Sequence, residues 1–181
     1  MFRRKKTKAA ALLAGAVIIV LSIAMPASTY GLHAGCSLAE RMTYPFLHAN
    51  ILHAGLNVYV LLSAVFLYDV SPRQLILSYL IAVSFPVTQL STLNSPLGSA
   101  AWLGQELSTQ ITVGLSGINY ALMALIIPQV AQPRPYILTV LAYILVGFAF
   151  PNCNNVLHLY CFLLALPLSM LRRHRNNTPP P

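Results

Sequence analysis

Long apolar runs separated by short polar clusters set the pattern of the chain. Six runs stand out, at residues 9–25, 46–68, 74–90, 116–130, 136–150 and 155–171. Runs of this length and apolarity predict helices in a membrane. The expected fold is therefore all-α, a polytopic membrane protein with six transmembrane helices. One domain spans residues 9–171, between a basic amino-terminal segment, residues 1–8, and a basic, disordered tail, residues 172–181, proline-rich at its end. The first run has a basic start and small residues at Ala24 and Ala27, a pattern shared with cleaved signal peptides. It is read as a retained span. Pro86 and Pro167 fall inside the third and sixth runs and are expected to kink them.

Composition agrees with a lipid environment, since 57% of the 181 residues are hydrophobic and 8% are charged. The net charge of +8 does not indicate nucleic acid. The basic residues cluster at the chain ends beside apolar runs, and the aromatic residues are not interleaved with them as a base-stacking platform requires. The charge instead orients the chain. With the amino terminus inside, Arg3, Arg4, Lys5, Lys6, Lys8, Arg73, Arg134, Arg172, Arg173 and Arg175 are cytoplasmic and Arg41 alone is outside. Both termini are then cytoplasmic, and the compact chain is expected in a bacterial inner membrane. Cys36, Cys153 and Cys161 lack metal-ligand spacing and are read as free thiols, so neither metal nor cofactor is expected.

Polar groups are scarce within the runs, and each one that remains is a candidate functional residue because its burial in lipid is costly. Asn57 precedes Asp69 by twelve residues, Ser116 lies about as far before the break at Pro128 to Pro133, and His158 precedes Arg172 by fourteen. At the helical rise each is roughly 18 to 21 Å from the inner boundary, in one layer about 10 Å below the outer surface of a 30 Å hydrocarbon core. His53, four residues before Asn57, shares its helix face. Interhelical hydrogen bonding explains any one of these residues; four with complementary chemistry favour a site.

The segment Gly114, Leu115, Ser116, Gly117 sharpens this picture. A helix from Ser116 to Pro128 reaches only about 18 Å and must start inside the membrane. Its amino terminus offers unpaired backbone N–H groups around a serine, as a developing oxyanion requires. His53 and Asn57 are candidate additional donors.

These residues resemble the rhomboid family of intramembrane serine proteases. His48, His53 and Asn57 match its HxxxxHxxxN pattern, Gly114, Ser116 and Gly117 with Tyr120 and Ala121 match its GxSG element, and His158 in the last run completes the set. The resemblance implies that Ser116 is the nucleophile and His158 its base, a dyad. It implies an oxyanion hole of His53, Asn57 and the Ser116 N–H, with Tyr120 packed on His158. His48 is assigned to shaping the outer loop and lining the cavity, with His53, Asn57 and Asn154. The implied substrates are single-span or membrane-anchored proteins in the lipid bilayer, cut near the outer face where small or helix-weakening residues expose the backbone.

Three departures from the family pattern stand out. Glu40 and Arg41 are the nearest counterpart to its outer-loop Trp-Arg pair. Cys161 and Ala165 stand where glycines are usual in the last helix, so looser packing against the fourth is expected. Asn119 is polar where an apolar residue is usual. Other chemistries fit less well. Glu40, Asp69 and Glu106 all fall in loops, and HExxH is absent, which excludes aspartyl and zinc intramembrane proteases and argues against a proton-coupled transporter. A haem protein built on His53 and His158 leaves Ser116 and its glycines unexplained. The alternative is a catalytically inactive rhomboid-like protein that binds transmembrane helices for transport or quality control, although such relatives usually lack one of the dyad residues.

Overall fold

The computed structural model describes residues 2–25, 30–87, 111–149 and 153–177. Ala27, the expected end of the third run at residue 90, Glu106 and the tail beyond residue 177 lie outside them. Seven helices are described: α1 Phe2–Ala24, α2 Leu38–Thr43, α3 Ile51–Leu67, α4 Pro72–Val83, α5 Ser116–Leu125, α6 Pro133–Gly147 and α7 Asn155–Asn177. Two 3-10 turns, Tyr44–Phe46 and Ile127–Gln129, join them. The described residues contain one isolated antiparallel bridge, Leu32 to Thr112, and no longer strand.

A helix forms in each of the six apolar runs, but their lengths differ from six equal crossings. Among the described residues, the 20-residue segment Lys5–Ala24 is long and apolar enough to cross a membrane alone. Leu38–Phe46 and Ile51–Leu67 pass that test only as a pair bent by 80°. The apolar helices Pro72–Val83, Pro133–Gly147 and Asn155–Leu171 are shorter.

Local chemistry sets these boundaries. Asn50 Oδ1 accepts the His53 N–H at 2.8 Å, so α3 begins at Ile51 and not at residue 46. Ser71 and Gln74 form a reciprocal capping box that starts α4, with Pro72 in its first turn. α4 stops at Val83 instead of continuing through a kink at Pro86, because proline lacks the N–H that would extend the ladder. The carbonyls left at that end are satisfied from α2 and the turn after it. Arg41 Nη1 donates to Val83 O at 3.2 Å and Phe85 O at 2.6 Å, and the buried Tyr44 hydroxyl donates to Ala82 O at 2.9 Å. A cation at a helix carboxyl end also complements the helix dipole. α7 runs to Asn177, so the expected disordered tail is helical over its first six residues, 172–177. Pro167 lies inside α7 without ending it.

α5 sits at the centre, packed chiefly against α7 and α4. Seven of its ten residues are buried, from Gly117 to Leu125. A Cβ on Gly117 would lie 3.4 Å from both Cys161 Sγ and the Ala82 Cβ. Cys161 and Ala165 are themselves fully buried. The looser packing expected from these two residues is therefore corrected: small side chains, not glycine alone, bring α5 and α7 together. At the other end of α5, buried Gln74 donates to Leu125 O at 2.9 Å, and Gln129 Oε1 accepts the Asp69 N–H at 3.0 Å. α1 packs on α3, where Gly15 faces Val58 and the Lys8 ammonium sits 4.9 Å from the centre of the Phe66 ring.

Candidate active site

Ser116 is the first residue of α5, and the chain reaches it through Gly114 at φ +122°. Few side chains tolerate that conformation, and a Cβ there would stand 2.9 Å from His53 Cε1. Glycine thus serves two needs, the turn into the helix and the close approach of the His53 imidazole. The turn is pinned from below. Gly114 N–H donates to Tyr44 O at 3.0 Å, and Leu115 N–H donates to His48 Nε2 at 3.2 Å.

His48 departs from its expected place. It is 1% exposed and does not line the cleft, because α3 starts three residues after it and its position follows no helical register. Its ring meets His53 edge-on, with centroids 5.1 Å apart, and its nitrogen supports the backbone just before Ser116.

The Ser116 Oγ lies 2.8 Å from His158 Nε2 on α7. On the other side of that ring, His158 Nδ1 lies 3.1 Å from Asn155 Oδ1. An amide oxygen can only accept, so the imidazole proton resides on Nδ1 and Nε2 is left to accept from the serine hydroxyl. The Tyr120 ring, one turn along α5 from Ser116, stacks on His158 at 4.4 Å between centroids and 26° between planes.

Across from α7, Asn57 Nδ2 donates to the His53 carbonyl at 3.0 Å. Asn119 Nδ2 donates to Asn57 O at 3.0 Å and to Asn57 Oδ1 at 3.2 Å. The polar Asn119 therefore orients Asn57: with its oxygen held by Asn119, the amide nitrogen of Asn57 turns to the His53 carbonyl of its own helix. Among the described residues, Asn119 Oδ1 is buried without a hydrogen-bond partner.

Ser116, His158, His53, Asn57, Asn119 and Tyr120 all border one cleft of about 690 Å³. Asn154 borders it too, joined to Thr112 Oγ1 at 2.9 Å and accepting the Leu157 N–H that opens α7. Among the described residues, no Asp, Glu, Lys or Arg lines the cleft; its described polar lining consists of amides, hydroxyls and two imidazoles. The first N–H groups of α5 have no partner within their own helix and lie beside the serine hydroxyl.

Sequence reasoning missed Asn155. Its signal was present in the spacing, since Asn155 and His158 are three residues apart at the start of one helix and share a face. Asn119 was conspicuous as a departure, but its partner became visible only in the packing of α5 on α3.

Comparison with known proteins gives one family match. The family model for the Rhomboid domain matches residues 35–173, which include every site residue described above. No curated protein matches the chain, and no solved structure does. With most of its length matched in this way, the chain is a member of the rhomboid family of membrane proteins.

Proposed function

We propose that this protein is an active intramembrane serine endopeptidase that hydrolyses peptide bonds of single-span or membrane-anchored substrates near the outer face. The observation that carries this reading is the 2.8 Å approach of Ser116 Oγ to His158 Nε2 at the wall of an open cleft. Ser116 attacks the scissile carbonyl as its proton passes to Nε2. The resulting oxyanion is held by the Ser116 N–H, with His53 and Asn57 as side-chain donors. The C–N bond then breaks as His158 returns the proton to the departing amine. Water entering through the cleft hydrolyses the acyl-serine by the same proton path in reverse. Tyr120 packs the base in place, and Gly114 and Gly117 allow the serine turn and the close helix contact.

In this reading the helices of the six apolar runs together enclose the site, α1 is retained, and both termini face the cytoplasm of a bacterial inner membrane. The preferred substrate exposes its backbone where small or helix-weakening residues interrupt a transmembrane helix. The test is cleavage of a single-span reporter in liposomes by the parent and by Ser116→Ala and His158→Ala. Loss of about 10⁴-fold or more in both variants is expected. Cleavage that persists in both overturns the dyad. A parent that neither cuts nor reacts with a fluorophosphonate favours the inactive, helix-binding alternative.

A further inference from the structure

We infer that Asn155 is a positioning residue for His158, holding the base of the Ser116 and His158 dyad in one tautomer; the catalytic part of this inference rests on the protease reading above. Three observations converge on its amide. Asn155 is 3% exposed, so its polar atoms need partners within the protein. Its Nδ2 donates to the Cys153 carbonyl at 3.2 Å while its Oδ1 lies 3.1 Å from His158 Nδ1. Rotating the amide by half a turn would set oxygen against the Cys153 carbonyl, so the two contacts fix its orientation together. Finally, Gly147 near the end of α6 supplies the room: a Cβ there would collide with Asn155 Oδ1 and stand 2.8 Å from its Cγ.

The consequence for His158 is a single tautomer. With Nδ1–H given to Asn155, Nε2 presents its lone pair to the Ser116 hydroxyl. When Nε2 takes the serine proton, the imidazolium retains a fixed acceptor at Nδ1. Tyr120 restrains the ring plane by stacking, but stacking does not choose between the nitrogens. That choice falls to Asn155. The same division of labour makes an asparagine or aspartate the third member of catalytic groups on unrelated folds.

The test compares the full-length parent with Asn155→Ala, Asn155→Asp, Gly147→Ala and the Gly147→Ala/Asn155→Ala double variant in liposomes. Asn155→Ala is expected to lower kcat about 10- to 100-fold with KM little changed, a part of what a general base contributes. Asn155→Asp is expected to restore much of that loss. Its carboxylate stabilises the imidazolium, so the acid limb of its kcat profile moves to higher pH. Gly147→Ala lowers kcat by displacing the same amide, and the double variant falls no further than Asn155→Ala, because both act through one contact. A folded Asn155→Ala enzyme with parental kcat, or an unmoved acid limb in Asn155→Asp, overturns the inference.

A readout independent of turnover separates this result from failure of the protease reading. The ¹⁵N imidazole signals of His158, identified by their loss in His158→Ala, report the tautomer directly. A parent that is silent in cleavage yet carries its proton on Nδ1, and loses that preference in Asn155→Ala, supports the positioning role while the protease reading fails. A mixed tautomer in the parent overturns the positioning role itself.

Discussion

The two walls of the cleft each carry a histidine and an asparagine within one turn of helix, yet the pairs are built differently. On α7 the asparagine precedes the histidine by three residues, and its oxygen faces the imidazole ring. On α3 it follows by four and gives its amide nitrogen to the histidine's backbone carbonyl. The first arrangement fixes a ring nitrogen. The second leaves the ring to be placed by packing, between Gly114 and the edge of His48, and Asn57 is in turn oriented by Asn119 on α5. On the proposed protease reading, the α7 wall suits a base that must hold one protonation pattern, and the α3 wall suits donors that need a position more than a tautomer.

Gly114→Ala breaks the α3 wall most severely. The new methyl group meets the His53 ring in a backbone conformation that disfavours it. Both His53 and the Ser116 turn must shift, and a misplacement of about 1 Å at such a site is worth about 100-fold in rate. The expected outcome is a kcat fall of about that size, checked in the reporter assay, while the His158 tautomer signal stays as in the parent. A loss of that tautomer preference would mean that the two walls are not independent.

Asn119→Leu gives a smaller and more pointed effect. It restores the apolar residue usual in the family and releases Asn57 without touching Ser116 or His158. The amide of Asn57 then turns more freely, with a kcat loss of about 10-fold or less, below the 10²-fold that removal of an oxyanion donor costs. Although the leucine removes an oxygen that has no hydrogen-bond partner among the described residues, it also leaves the buried Asn57 Oδ1 without its donor, so the variant is expected to melt at the same temperature or a few degrees lower. Unchanged turnover in this variant would reduce Asn119 to a helix tie.

How much of this was legible beforehand follows from which interactions are local. The starts of α5 at Ser116 and of α7 at Asn155 coincide with the starts of their apolar runs, since these boundaries depend on nearby residues. The expectation that Asn57, Ser116 and His158 share one layer rests on helical rise alone, and all three border one cleft. By contrast, the Asn119 to Asn57 contact joins residues 62 apart, and Arg41 reaches carbonyls 42 and 44 positions away. No periodicity records such pairs. The place of His48 is hidden for a related reason: Asn50 caps α3 after it, so its contact with the Leu115 N–H, 67 residues away, follows no helical register.

The segment that carries α2 offers a control for both walls, because its polar pair is local and exposed. Ser37 and Glu40 cap α2 reciprocally, with the Ser37 N–H and hydroxyl each 2.7 Å from the Glu40 carboxylate. The backbone N–H first, and then the hydroxyl, hold the Glu40 carboxyl below its usual range. A carboxyl whose folded pKa is depressed contributes its stability above the unfolded pKa and loses it as pH falls through the lower, folded one. The amino-terminal turn of α2 should therefore exchange its amide hydrogens faster as the medium is acidified through that window. Glu40→Gln, which keeps an acceptor but no charge, should flatten the response. Because Arg41 on the same short helix holds the end of α4, loosening that spread to Val83 would mark α2 as coupled to the bundle. Loosening confined to Leu38–Thr43 would instead mean that Arg41 keeps its grip while the cap opens, and that the cleft walls stand apart from the loop above them.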